Sequence, residues 1–391
     1  MVPLTASRTG GLRSSLPGLL TLAAASALAV TTEMLPIGLL PQIADAFGVS
    51  ASVSGLLVGL YAVMVAALAV PLTVATSRFA RKPLLMATVA GYLVSNTVVA
   101  AAPVFAVLAM GRAVGGITHA LFFSLVIGYA PRLVPGGTVG RALAVAGSGA
   151  SVGLVVGAPV LTTLGAAAGW RAPFVVLAGL AVCTLVMLSK ILPAVDHDPD
   201  GRSSQAGRRG RLAAVAASNT LVFLGHFTVY TFISVILLAN GAPPALVGPI
   251  LLICGACGLL GLWYAGHGLD RNPRRTTLAL LGALMLTVAA LAVPWPALWT
   301  VLAVIALWST AFGGVPSIYQ SCAVRTHEVS PERAGAWINA TANAGIAGGS
   351  AIGAGLLESV GVQALSWAGA ALVGLGMSVA LVCRRAFPVE P

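Results

Sequence analysis

Charge is what this 391-residue chain has least of. Asp, Glu, Lys and Arg together make up 8% of it, where a soluble protein carries about 25%. Ten acids cannot give a chain of this size a polar shell, so a water-soluble globular domain is excluded and lipid must solvate most of the surface. No Gly-x-x-x-x-Gly-Lys-Ser/Thr loop occurs, which argues against ATP as a direct drive within the chain. Also missing are a His-Glu-x-x-His motif and a pair of intramembrane aspartates. An intramembrane protease could rest only on Gly149-Ala150-Ser151 and a distant His226, and Ser151 sits among packing glycines, so the chain reads as not an enzyme. Its five cysteines lie in or at the ends of apolar runs; Cys254-x-x-Cys257 has no further ligand nearby and reads as two small buried hydrophobes. No cofactor is expected. Aromatic residues amount to 6%. With one acid, one Arg and two His in the apolar segments, that scarcity suggests a moderately polar cavity rather than an aromatic cage.

What is present is apolar sequence, 58% of the chain. A membrane-crossing helix takes about 20 apolar residues. Hydropathy divides the chain into twelve such spans, at 17–40, 53–75, 83–102, 104–128, 139–163, 173–192, 212–238, 246–268, 276–293, 298–322, 332–357 and 364–383. The expected fold is therefore an all-α integral membrane protein, twelve transmembrane helices in two pseudo-symmetric six-helix bundles. Residues 1–192 form the first bundle, 193–211 a cytoplasmic linker and 212–391 the second bundle. The many Gly and Ala residues suit closely packed membrane helices. Arg8 and Arg13 before an apolar run resemble a secretory signal; that run continues to Leu40 and more spans follow, so it reads as a retained first helix.

The net charge of +11 has a positional meaning. With the N-terminus inside, nineteen of the 21 Lys and Arg fall in inner segments, Arg171 lies outside and Arg112 within a span. This is the positive-inside distribution. It places both termini and the linker in the cytoplasm of a bacterial cell, the protein being multi-pass in the inner (plasma) membrane. The basic residues then face an anionic inner leaflet, and nucleic acid is not an expected partner.

The halves repeat. "SRFARK" (Ser77 to Lys82) stands between spans 2 and 3, and "DRNPRR" (Asp270 to Arg275) between spans 8 and 9, an offset of 193. Span 5 carries Gly149, Gly153 and Gly157; span 11 carries Gly345, Gly349 and Gly353, an offset of 196. Two matching halves suit a secondary transporter whose site lies between them at mid-membrane.

These segments carry a resemblance: "TTEMLPIGLLPQIA" (31–44), "SRFARKPLL" (77–85), "GRAVGGITHALFFS" (111–124), "GSGASVGLVVGAPV" (147–160), "GWRAPF" (169–174) and "GHFTVYTFI" (225–233). Over essentially its whole length the chain resembles the major facilitator superfamily, in its drug–proton antiporter branch, and more narrowly the bacterial sugar-efflux and chloramphenicol-resistance group. Ser77 stands where the superfamily's loop signature has Asp, which the second copy keeps as Asp270; Gly157-Ala158-Pro159 replaces an adjacent Gly-Pro. The resemblance implies proton-driven export of a small organic molecule by alternating access. Sugars, nucleosides, antibiotics and related metabolites stay open as substrates. It implies further that the Gly149, Gly153, Gly157, Pro159 segment controls the interface between halves, and that Ser77, Arg78, Arg81, Asp270, Arg271 and Arg275 form a cytoplasmic gate. Uptake remains an alternative, since direction is not written in the residues. A monomer is expected.

Glu33 is the only acid inside a span and Arg112 the only basic residue inside one. An intramembrane ionisable group is a functional candidate by default. Both lie roughly 10–12 Å below the outer surface at 1.5 Å per residue, a depth that permits a pair. Arg112, Gly116, His119 and Phe123 share one helix face, offering a cation, a gap for close approach, a titratable ring and an aromatic wall to a cavity. His119 and His226 both fall near mid-membrane, and an unperturbed His titrates between about pH 5 and 8, as a proton carrier must. Tyr230, one turn after His226, is a substrate-contact candidate. Structural alternatives stand beside each: an ion pair that only holds helices, a histidine that merely bonds its neighbour, and a tyrosine packed in the core.

Overall fold

A computed structural model describes residues 12–134, 138–194, 210–269, 271–293, 297–329 and 331–387. Asp270 and most of the 193–211 linker lie outside the described residues. The described chain is helical, and the twelve anticipated spans are all there. Spans 1 to 4 are Leu12–Phe47, Ala51–Ala75, Arg81–Ala101 and Phe105–Tyr129. Span 5 runs as Val139–Val152, a π turn Gly153–Gly157, and Ala158–Ala168; span 6 is Arg171–Ile191. Span 7 is Gly210–Tyr230 and Ile233–Ala239, and spans 8 and 9 are Val247–Leu269 and Pro273–Ala290. Span 10 is Leu298–Gly313 and Val315–Arg325, followed by Pro331–Ser359 and Val362–Val382.

Ten of these are long and apolar enough to cross a membrane by composition alone. The other two are spans 9 and 11. Span 9 opens on Arg274 and Arg275, and span 11 is diluted by Asn339, Thr341, Asn343 and its glycines. Span 11 tolerates this because it packs between spans 7 and 2, which leaves Asn343 buried.

The glycine ladders explain why the first helix of each half meets its fifth so closely. A Cβ on Gly149 would come within 1.8 Å of the Ala23 carbonyl oxygen, and one on Gly349 within 2.5 Å of that of Leu224. Only glycine admits such an approach. The Pro159 bend takes the form of the π turn ahead of it: the Ala158 N–H bonds back to the Gly153 carbonyl, which also accepts from the Thr31 hydroxyl at 3.2 Å.

A second device repeats at the ends that carry the basic loops, taken as the inner side. Lys82 Nζ donates to the carbonyls of Ser189 and Leu192, tying span 3 to span 6. Arg274 donates to those of Ala380 and Leu381, tying span 9 to span 12. The halves themselves meet on the outer side. Ser234 Oγ donates to the Ile37 carbonyl at 2.8 Å, and Ser350 Oγ to that of Gly55 at 2.7 Å. The Phe232 ring fills the notch left by Gly55. Toward its inner end span 2 is uncovered, with Val74 67% exposed. These hydrogen bonds between the halves thus lie toward the ends opposite the basic loops.

Candidate functional site

Span 1 contains Pro36. A proline cannot donate to the carbonyl four residues earlier, and its ring crowds that turn. The carbonyl so released is that of Thr32, and Arg112 takes it: Nη1 donates there at 2.6 Å and Nη2 to the Glu33 carbonyl at 3.0 Å. The guanidinium lies over the Tyr61 ring, 4.3 Å from its centroid, a cation–π contact that helps hold a charge that is only 1% exposed. The matching depth of Glu33 and Arg112 therefore does bring them together, but Arg112 binds the span 1 backbone instead of the carboxylate.

The Glu33 carboxylate turns to His119. Oε2 stands 3.6 Å from Nε2, too long for a hydrogen bond and within reach of one by a small ring rotation. On the far side of the ring, Nδ1 meets the phenols of Tyr61 at 2.9 Å and Tyr92 at 3.0 Å. A neutral ring accepting from a phenol at Nδ1 carries its proton on Nε2, pointing at Glu33. Asn96 completes the group, donating to Thr32 Oγ1 and to the Tyr92 carbonyl. Carboxylate, imidazole and phenols, all buried, thus form a chain of groups able to hold and pass a proton.

Two expectations change here. Gly116 is a gap for close approach, but span 2 and not a cavity takes it up: a Cβ there would stand 2.5 Å from the Tyr61 carbonyl oxygen. Phe123 stays beside His119, ring centroids 5.1 Å apart. His226 does not join the Glu33 chain. It lies in the second half, stacked on Phe312 at 3.4 Å and 4°, with Tyr230 at 5.1 Å, Trp308 at 5.1 Å and Phe227 at 5.0 Å. Both His226 Nδ1 and Trp308 Nε1 are buried without a partner among the described residues. The few aromatic residues of this half are gathered here, with His226, Phe227 and Trp308 buried and Tyr230 and Phe312 partly exposed.

Sequence reading overlooked Tyr61, Tyr92, Asn96, Trp308 and Phe312. The offset of 196 that relates the glycine ladders also carries Arg112 onto Trp308, a signal available beforehand. At the inner side, Ser77, Arg78 and Arg271 are exposed, and Arg78 lies over the Phe79 ring. Arg81 is half-buried, and the Arg275 backbone N–H is capped by Asn272. No hydrogen bond or ion pair joins these loops across the halves among the described residues.

Two pseudo-symmetric bundles of membrane-length helices, with ionisable groups buried at mid-span, are the build of a secondary transporter. Residues 22–336 match the family model of the Major Facilitator Superfamily, and the chain belongs to that family. It is 31% identical to a chloramphenicol efflux pump of Mycobacterium tuberculosis over 379 residues, covering 94% of this chain and 92% of the relative. To a probable sugar efflux transporter of Mannheimia succiniciproducens it is 27% identical, covering 88% and 87%. Its fold is similar to that of a bacterial homologue of the lysosomal transporter Spinster in an inward-facing, occupied conformation, with TM-score 0.77, 14% identity and coverage of 96% and 97%.

Proposed function

We propose that this transporter exports a small organic molecule, of the sugar, nucleoside, antibiotic or related metabolite class, in exchange for protons. The observation that carries the reading is Glu33, a carboxylate at mid-span that is 7% exposed, set against His119 with Tyr61 and Tyr92 behind it. A buried carboxylate costs free energy in lipid unless it serves a pathway or a partner. Its partner is a ring that can itself carry a proton. Arg112, bound to the backbone next to Glu33, fixes a positive charge beside the exchange group without neutralising it by direct pairing. The names of the two relatives support efflux, and in this reading the partly exposed Tyr230 and Phe312 offer an organic substrate a ring surface.

In this scheme substrate enters from the cytoplasm between the inner ends, and proton loss from Glu33 and its return alternate with substrate. The bacterial inner membrane, with both termini cytoplasmic, is the orientation that the basic loops support. Everted vesicles with a substrate panel including chloramphenicol, sugars and nucleosides, and internal pH recorded, test the reading. Substrate accumulation coupled to proton release from the lumen is expected. Substrate and protons moving in the same direction would replace export with uptake.

A further inference from the structure

We infer that the basic side of the second half holds a discrete site for the phosphate headgroup of an anionic lipid, in the cleft between the start of span 7 and the end of span 12. The cleft, of about 380 Å³, is lined by Arg211, Ala214, Val382, Cys383, Arg384 and Arg385, together with Gly210 and Ala386. Three arginines thus line one hollow.

The backbones carrying them are held in place. Past the end of span 12 the chain makes a turn closed by Arg384 N to the Val382 carbonyl and Ala386 N to the Cys383 carbonyl. Phe387 anchors that turn; it is 1% exposed and meets Tyr319 edge-on at 6.4 Å between ring centroids. Arg211 is fixed by Glu328, whose carboxylate accepts from the backbone N–H groups of Arg211 and Leu212 at 3.0 Å and faces Arg211 Nε at 3.5 Å. Glu328 thereby also occupies the N-terminal amides of span 7, so the cationic hollow and not the helix end is what an anion meets.

The end of span 12 should repel an anion, because its last carbonyls carry partial negative charge. Arg274 cancels this by donating to the carbonyls of Ala380 and Leu381. Arg384 and Arg385 enter no ion pair among the described residues. Val382, 80% exposed, and Leu381, 43% exposed, stand beside the hollow as apolar surface against which an acyl chain can lie. A phosphate with an attached hydrocarbon satisfies both halves of this arrangement, and Arg favours phosphate through its planar donor fork. A free phosphate matches the guanidinium groups alone.

The test uses full-length protein from vesicles of equal phosphatidylglycerol and phosphatidylcholine, with bound lipid read by native mass spectrometry. The protein should retain phosphatidylglycerol selectively. Arg384→Gln/Arg385→Gln should lower that selectivity roughly thirtyfold, equivalent to about 2 kcal/mol for two charges near an anionic surface. Arg211→Gln keeps the backbone bonds to Glu328 and should lower it about fivefold by the same reckoning. Arg271→Gln/Arg275→Gln removes as much charge from the same face and should change it less than about twofold. Equal selectivity in the protein and in both the Arg211 and the Arg384/Arg385 variants overturns the site. An equal loss in the Arg271/Arg275 variant overturns its discreteness, and displacement of the lipid by millimolar inorganic phosphate overturns lipid as the occupant.

Discussion

At similar depth the two halves of this transporter are built alike and equipped differently. Each carries a glycine ladder between its first and fifth spans and a basic side chain tying its third to its sixth. Between those shared supports the first half sets Glu33, Arg112, His119, Tyr61, Tyr92 and Asn96. The second sets His226, Phe227, Tyr230, Trp308 and Phe312. Scaffold and chemistry have diverged separately. Helix contact demands the same small residues in both copies, whereas the centre of each half is free to differ, and the proposed function assigns proton handling to the first and substrate contact to the second.

That division can be broken at its strongest point first. Glu33→Gln preserves size and hydrogen bonding, so protein levels and substrate binding should persist while proton-driven accumulation is abolished in everted vesicles. If the variant still builds a gradient from an imposed pH difference, proton exchange does not belong to the first half's carboxylate, and His119 or His226 becomes the leading carrier.

Arg112→Ala comes next. It leaves the Thr32 and Glu33 carbonyls without their donor in an apolar interior, at about 1–3 kcal/mol each. A drop in thermal unfolding temperature in detergent should accompany loss of transport, with Arg112→Lys intermediate. Unchanged thermal stability would show that water replaces the guanidinium there.

Phe312→Ala removes the ring stacked on His226. An aromatic pair contributes about 0.5–1.5 kcal/mol beyond area burial, so apparent KM for an aromatic substrate should rise roughly threefold to tenfold with the proton-to-substrate ratio unchanged. An altered ratio with KM unchanged would reverse the roles assigned to the two halves.

The smallest effect concerns the seam between them. Ser234→Ala deletes one hydroxyl-to-carbonyl bond, worth about 1 kcal/mol, and should raise the outward-open population roughly fivefold, read as distances between spin labels on the outer ends. A distribution identical to that of the parent would remove Ser234 from the closure.

Much of this architecture was legible because lipid enforces long apolar runs and places basic residues on one side. Glu33, Arg112 and His119 were legible for the same reason, as ionisable residues in runs that exclude them. Tyr61 and Tyr92 were not, since a tyrosine in an apolar run passes for core until a partner for its hydroxyl is located. Gly116 was misjudged because a glycine facing a cavity and one facing a neighbouring backbone look the same in one dimension. The breaks after Tyr230 and at Gly314 lie in continuous apolar sequence and gave no hydropathy signal. Arg112's choice of carbonyls over carboxylate could have been anticipated from Pro36, three residues past Glu33.

Span 1 holds a further proline, Pro41, and by the same rule it releases the carbonyl of Ile37, the group that receives Ser234 from the opposite half. One proline thus provides a rivet inside a bundle and the next provides a snap fastener between bundles. The rivet lies in the dry interior and must endure through every cycle. The fastener lies where water enters whenever the outer side opens, so its two halves find new partners as soon as they separate. For anyone wishing to trap this transporter in one posture, the fastener is the place to intervene, since Ser234 can be altered or cross-linked without disturbing the ionic machinery deeper along span 1.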